Sequence, residues 1–342
     1  MRRRSTPILT CLALLGTLAC QPAVQDEQAA RAAGSTAYEE AKEAAENAYK
    51  AAASFDEKLA IARGFLAQYP DTEDTTDVLR LIGGDALEAE RPEAVFELLS
   101  RTLERIEDLD SRFQVRLQLA DLYARAGRKD ELRALAAELT GQRELTYRDH
   151  FAIAEAAVTA EDWTLAIEHS DASLALATPE HFKQDSPEVS DADAQVYGTR
   201  RAAHSLANKG WAQYHLGRTE EAFATFCQAE ESTDYNLLGV DSTALHGYWG
   251  RALADQGRPE KAMELLAAEA VFGSRPEGLE AYREAYASYS GGEDGFEDHL
   301  WELRLSQARP VPEFALPNYA GETVRLSDFA GDVVLLAFWF PT

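Results

Sequence analysis

Cysteine is scarce in this sequence: three occur in 342 residues, at Cys11, Cys20 and Cys227. The first two fall in a segment with the marks of a targeting signal, so the rest of the chain cannot build a disulfide framework. Positive charge is sparse as well. Thirty-three Lys and Arg stand against 59 Asp and Glu, a formal net charge of −26, and no Lys/Arg cluster follows the first four residues. Gripping a phosphate backbone requires a basic stripe that releases counterions, so no nucleic-acid partner is expected. Long apolar runs are missing too: the mostly apolar stretch from Ile8 to Leu18 falls short of the about 20 residues that span a bilayer. There is no Gly-rich phosphate loop and no G-x-S-x-G elbow. None of the seven histidines falls in an H-E-x-x-H or paired Cys/His pattern, so neither a metal nor another cofactor is expected. The acidic stretch from Asp71 to Asp77 lacks the central Gly of a calcium loop and reads as a helix-initiating turn after Tyr69-Pro70. What the chain does have is enough apolar and aromatic residues, 46% and 9%, to bury a core.

Arg2, Arg3 and Arg4 open the chain, the short apolar run follows, and Thr17-Leu18-Ala19-Cys20 ends it, the order of an export signal. That ending resembles a bacterial lipobox, in which a small residue precedes a cysteine that receives lipid. Thr17 stands where that motif usually has Leu. The resemblance implies a signal peptide over residues 1–19 and lipidation of Cys20. It also implies a location in the bacterial cell envelope, facing the periplasm or exterior, with the membrane as partner through this anchor alone. Residues 20–36, polar and Ala-rich, read as a tether.

From residue 37 to 308 the sequence is helix-like and repetitive. Gly210, Gly217, Ala222 and Phe226 recur 40 residues later as Gly250, Gly257, Ala262 and Leu266. The same offsets of 7, 12 and 16 fit Gly83, Glu90, Val95, Leu99; Ala120, Gly127, Leu132, Ala136; and Ala154, Glu161, Ala166, Ser170. Gly210 and Ala222 are small enough to let two helix backbones approach, and Gly217 suits a left-handed turn between them. This frame resembles the tetratricopeptide repeat, which implies a mainly α fold, a tetratricopeptide-like α-solenoid whose concave face docks protein clients. Between the third and fourth units in chain order, which begin at Ala154 and Gly210, the stretch from Thr178 to Asp193 breaks the spacing and reads as an exposed loop. Cys227 and the tryptophans Trp163, Trp211 and Trp249, lying within repeats, are expected in the core.

Residues 309–342 change character. Two short strands around Gly321 precede a one-turn helix, and the run Val333 to Phe340 contains no polar residue, as in a strand covered on both faces. Pro312-x-Phe314-x-Leu316, Gly321, Leu326-Ser327-Asp328, Gly331 and Phe338-Trp339 resemble the opening of the redoxins, the thioredoxin-like TlpA-type thiol-disulfide oxidoreductases and the AhpC/TSA proteins. Asp332 departs from the Lys usual there, and Thr342 from the usual Trp. The resemblance implies an incomplete thioredoxin-like α/β element, a β-hairpin plus one apolar strand. Phe338, Trp339, Pro341 and Thr342 then lead toward a C-x-x-C motif that would follow Thr342.

A cysteine between a strand and a helix has its thiolate stabilised by the helix N-terminus, which is the chemistry such a domain runs. No catalytic residue is expected within the 342 residues themselves. The expectation is therefore a fragment of a membrane-anchored envelope oxidoreductase whose repeats recruit a client or redox partner protein, inactive without its cysteines. The alternatives are a peroxidase-type redoxin and a repeat-based scaffold lipoprotein with no catalysis.

Overall fold

The computed structural model describes residues 22–334 apart from 71, 73, 234–242, 274–275, 309 and 333, with side chains from residue 37 onward. The described chain is mainly helical and divides into two compact units. One takes the chain up to Leu145 with Glu155–Ala160; the other takes Thr146–Ala154 and the chain from Glu161 onward.

In the first unit α1 (Pro22–Ala51) packs on α2 (Phe55–Gln68), α3 (Thr75–Glu88) on α4 (Glu93–Leu103), and α5 (Leu109–Arg125) on α6 (Lys129–Gln142). Helix α7 (Tyr147–Thr159) supplies residues to both units. The second unit continues with α8 (Trp163–Leu176), the short α9 (Pro179–Asp185) and the long α10 (Asp191–His215). Next come α11 (Thr219–Ser232), α12 (Leu245–Asp255), α13 (Pro259–Phe272), α14 (Pro276–Ser290) and α15 (Phe296–Gln307). Strands β1 (Ala315–Pro317) and β2 (Thr323–Arg325) and a single 3₁₀ turn (Leu326–Phe329) complete the described chain.

The same local geometry recurs at each unit of the sequence frame. Glu90, Gly127, Glu161, Gly217 and Gly257, the five residues at offset 7, all adopt positive φ, between 55° and 76°. At four of them the next residue is an arginine whose N–H reaches back five residues, as from Arg218 to Gln213 O at 3.0 Å and from Arg258 to Leu253 O at 2.9 Å. This closure satisfies helix-end carbonyls that would otherwise lack donors. Residues at the other offsets are buried: Val95, Leu99, Leu132, Ala166, Ala222, Phe226, Ala262 and Leu266 are fully so.

At two of the first-offset positions, Gly210 and Gly250, contact requires a glycine. A Cβ on Gly210 would lie 2.6 Å from Phe226 Cε1, and one on Gly250 would lie 2.5 Å from Leu266 Cδ1. Phe226 therefore seats its ring on bare backbone, in a cluster with Leu206, Leu245 and Ala252. Burying such a side chain is worth about 1.5–3 kcal/mol. Trp211 and Trp249 pack against this cluster half-buried rather than enclosed.

Several elements differ from the sequence expectations. Residues 22–36 of the tether region are helical and belong to α1. Farther along α1, Tyr38 and Lys42 bond Asp74 at 2.5 and 2.8 Å, and Tyr49 bonds Asp85, which Lys58 of α2 also pairs. The stretch from Thr178 to Asp193 is not a loop: Thr178 accepts the His181 N–H as a helix cap, Pro179 takes the first turn, and α9 follows. Capping by Thr and the preset φ of Pro outweigh the weak apolar periodicity there. Cys227 is exposed. It follows the buried Phe226, and one helical step of about 100° turns it outward.

Candidate functional site

The β-hairpin at residues 315–325 is held by a short antiparallel register, Ala315 opposite Arg325, Leu316 opposite Val324 and Pro317 opposite Thr323. Its turn is organised by Asn318, whose side-chain oxygen accepts N–H bonds from Ala320 and Glu322, both at 2.9 Å. Gly321, at φ 83°, supplies the left-handed conformation that lets the Gly321 N–H reach Asn318 O at 2.9 Å. Leu326 then donates to Phe314 O at 3.1 Å and carries the pairing into the 3₁₀ turn. Asp328 accepts the Arg325 N–H at 2.8 Å, and Glu313 accepts both the Ser327 N–H and its hydroxyl, at 3.2 and 3.0 Å. Glu313 thus ties the turn to the segment just before β1, and Asp328 ties it to the end of β2. Gly331 follows at φ 100°.

Apolar side chains of this segment lie open to solvent. Leu316 is 59% exposed and Phe329 43%. The hairpin has one unpaired edge on each strand. Free strand edges beside exposed apolar side chains are surface on which a further strand can pair. Phe338, Trp339, Pro341 and Thr342 lie outside the described residues, as do Cys20 and the signal segment. The described residues therefore bring none of the sequence-predicted site residues together.

In the first unit a groove of about 880 Å³ runs between α3 and α5, floored by Leu79, Gly83, Gly84 and Leu122. Gly84 has nothing within 4 Å of its would-be Cβ, so its backbone faces open space. Gln118 donates to Thr76 O at 3.1 Å and leaves its buried Oε1 without a donor.

The histidines serve varied local roles. His150 and His169 meet Nδ1 to Nδ1 at 3.0 Å, and burial, with the neighbouring His150, pushes His169 down to about 4. His215 stacks on Trp163 at 4.2 Å between ring centres, and His299 bonds the Tyr282 hydroxyl at 2.8 Å. Among the described residues no group of three His, Cys, Asp or Glu side chains could hold a metal ion. No helix among them is long and apolar enough to cross a membrane.

A scan of protein families finds no family that matches this chain, and no curated protein matches it.

Proposed function

We propose that this chain is the front part of a lipid-anchored, cell-envelope redoxin: a thiol-disulfide oxidoreductase whose helical repeats form a tetratricopeptide-like solenoid for recruiting client protein. The observation that carries the redox reading is the hairpin and 3₁₀ turn at residues 315–329. Glu313 accepts the Ser327 N–H there, Asp328 accepts the Arg325 N–H, and Leu316 and Phe329 stay uncovered. Leu316, Ser327 and Asp328 are among the residues that resemble the redoxin opening. The solenoid reading is supported by the left-handed residue that recurs at the same offset in all five frame units. In this reading Cys20 carries the lipid, and the catalytic thiols follow Thr342. The first thiolate attacks a client disulfide, forming a mixed disulfide and releasing one client thiolate. The second thiol then displaces the client, leaving the enzyme oxidised and the client reduced.

The test is to read the coding frame beyond Thr342 and to express the extended protein. A cysteine within about ten residues, together with reduction of a model protein disulfide, supports the proposal. Lack of a cysteine there overturns the redox reading, and a lone cysteine that turns over peroxide moves it to the peroxidase class. A second reading, a scaffold lipoprotein without catalysis, draws on the open groove between α3 and α5.

A further inference from the structure

The stretch that breaks the repeat spacing builds a cavity. Helix α9 and the N-terminal extension of α10 lie between the unit ending at Ser170 and the one beginning at Gly210, and they are fitted together closely. A Cβ on Gly198 of α10 would lie 3.0 Å from Pro179 N, so glycine lets the start of α9 sit directly on α10. Phe182 of α9 consequently stacks on Tyr197 of α10, with ring centres 4.8 Å apart and planes within 15°.

Next to this stack lies a cavity of about 240 Å³ between α7, α9 and α10. At its wall is Arg201, 8% exposed, with its guanidinium over two rings, 4.5 Å from the centre of Phe182 and 4.7 Å from that of Tyr147. Nη2 bonds Asp185 at 3.1 Å, while Nη1 is buried without an acceptor. A buried N–H of a cation left unpaired is costly, and an incoming acceptor would relieve it. Arg148, Arg200 and His204 line the same cavity, a local concentration of cationic and imidazole groups in a chain of net charge −26. Phe151 adds a further aromatic wall, stacked with Tyr147.

We propose that this cavity binds a small organic carboxylate with a flat apolar body. Ring contacts from Phe182 and Tyr147 hold the Arg201 guanidinium, and its unpartnered Nη1 N–H is a charged donor of the kind that a carboxylate accepts well. Aromatic walls cover the body of such a ligand. The volume lies below the about 300–1,000 Å³ of sites for drug-sized molecules, which selects a compact one. This inference stands apart from the redox reading, because it uses no residue after His204.

Calorimetric titration of the purified full chain at low salt tests it, with benzoate as probe and benzamide and inorganic phosphate as comparisons. Benzoate is expected to bind at one site, with benzamide at least about tenfold weaker because it lacks the charge. Arg201→Met is expected to abolish binding. Since that variant could unfold, Arg148→Gln, at an exposed position, and Phe182→Ala are measured beside it after their helical circular dichroism is matched to the parent. Each is expected to weaken benzoate severalfold. No binding of benzoate, equal binding of benzamide, or full binding by both folded variants overturns the proposal, and phosphate binding as tightly as benzoate overturns its assignment to a carboxylate.

Discussion

His169 is 4% exposed, and its Nδ1 lies 3.0 Å from that of His150. A hydrogen bond between two ring nitrogens needs one N–H and one bare nitrogen, so both rings are accommodated best when neutral. Protonating the accepting ring turns donor toward donor. Burial, then the neighbouring His150, lowers His169 to about 4, and burial lowers His150 also, against the pull of Asp149 and Glu168. An unfolded chain protonates histidine near pH 6.5, so below that value the unfolded state binds more protons than the native state does. The stabilisation is present in full above about pH 6.5 and is lost as pH falls toward about 4, with a limit of about 3 kcal/mol for His169. Thermal melts at pH 7 and pH 5 should therefore show a drop in the wild type that His169→Gln reduces, and equal drops in the two proteins would sink this account. The pair was not legible in the sequence, since nothing in a 19-residue separation announces that two rings meet. Cys227 was misplaced for a simpler reason. The repeat frame puts Phe226 at the buried offset, and the same frame turns the next residue toward solvent, a consequence available from helix geometry alone.

Among elements, the hairpins were readable wherever glycine marked the turn. Gly127, Gly217 and Gly257 announce a left-handed residue, and the buried offsets then follow at fixed spacing. The arginine after each of these glycines, which closes the helix end by its backbone N–H, was an equally regular signal that the frame of small residues left out. Hairpin α14–α15 escaped the frame because its turn runs from Gly291 to Gly295, longer than the others, with positive φ at both glycines. Hairpin α1–α2 escaped it because its turn relies on Ser54, which accepts the Glu57 N–H while Glu57 accepts the Ser54 N–H, a capping box in place of a glycine. Helix α9 read as a loop because it is only seven residues long and has no buried face of its own. The frame also contains a direct test of turn energetics. Glu90 is exposed and holds φ 55°, a conformation that costs an L-residue with a Cβ about 1–2 kcal/mol. Glu90→Gly removes that cost and adds back some unfolded-chain entropy, so a gain of about 1 kcal/mol is expected. Gly217→Ala, at φ 76°, should lose a similar amount. Urea midpoints with unchanged slopes would report both shifts. A Glu90→Gly protein no more stable than its parent would show that the left-handed turn is not strained.

At the scale of the whole chain, surplus negative charge and an uncovered tail act in opposite directions on solubility. A net charge of −26 keeps molecules apart, whereas the described residues 310–332 display apolar surface around a hairpin of three residue pairs. Leu316, Phe329 and Val311 are 59%, 43% and 61% exposed, and the following run from Val333 to Phe340 has no polar residue. A two-stranded hairpin is marginal by itself, and free strand edges beside an uncharged apolar run template association between chains. At about 1.5–3 kcal/mol for each large side chain left in water, the tail gains little by folding alone. The helical units draw their stability elsewhere, from cores such as Phe226 with Leu245 and Leu266 with Phe296. Deleting residues 309–342 removes four acids and two bases, so nearly all of the repelling charge stays while the apolar surface goes. The shortened protein is expected to keep its helical circular dichroism and a cooperative melt, and to stay dispersed at concentrations where the 342-residue chain scatters light. Loss of the helical signal or precipitation on deletion would show instead that the tail is an integral support of the helices.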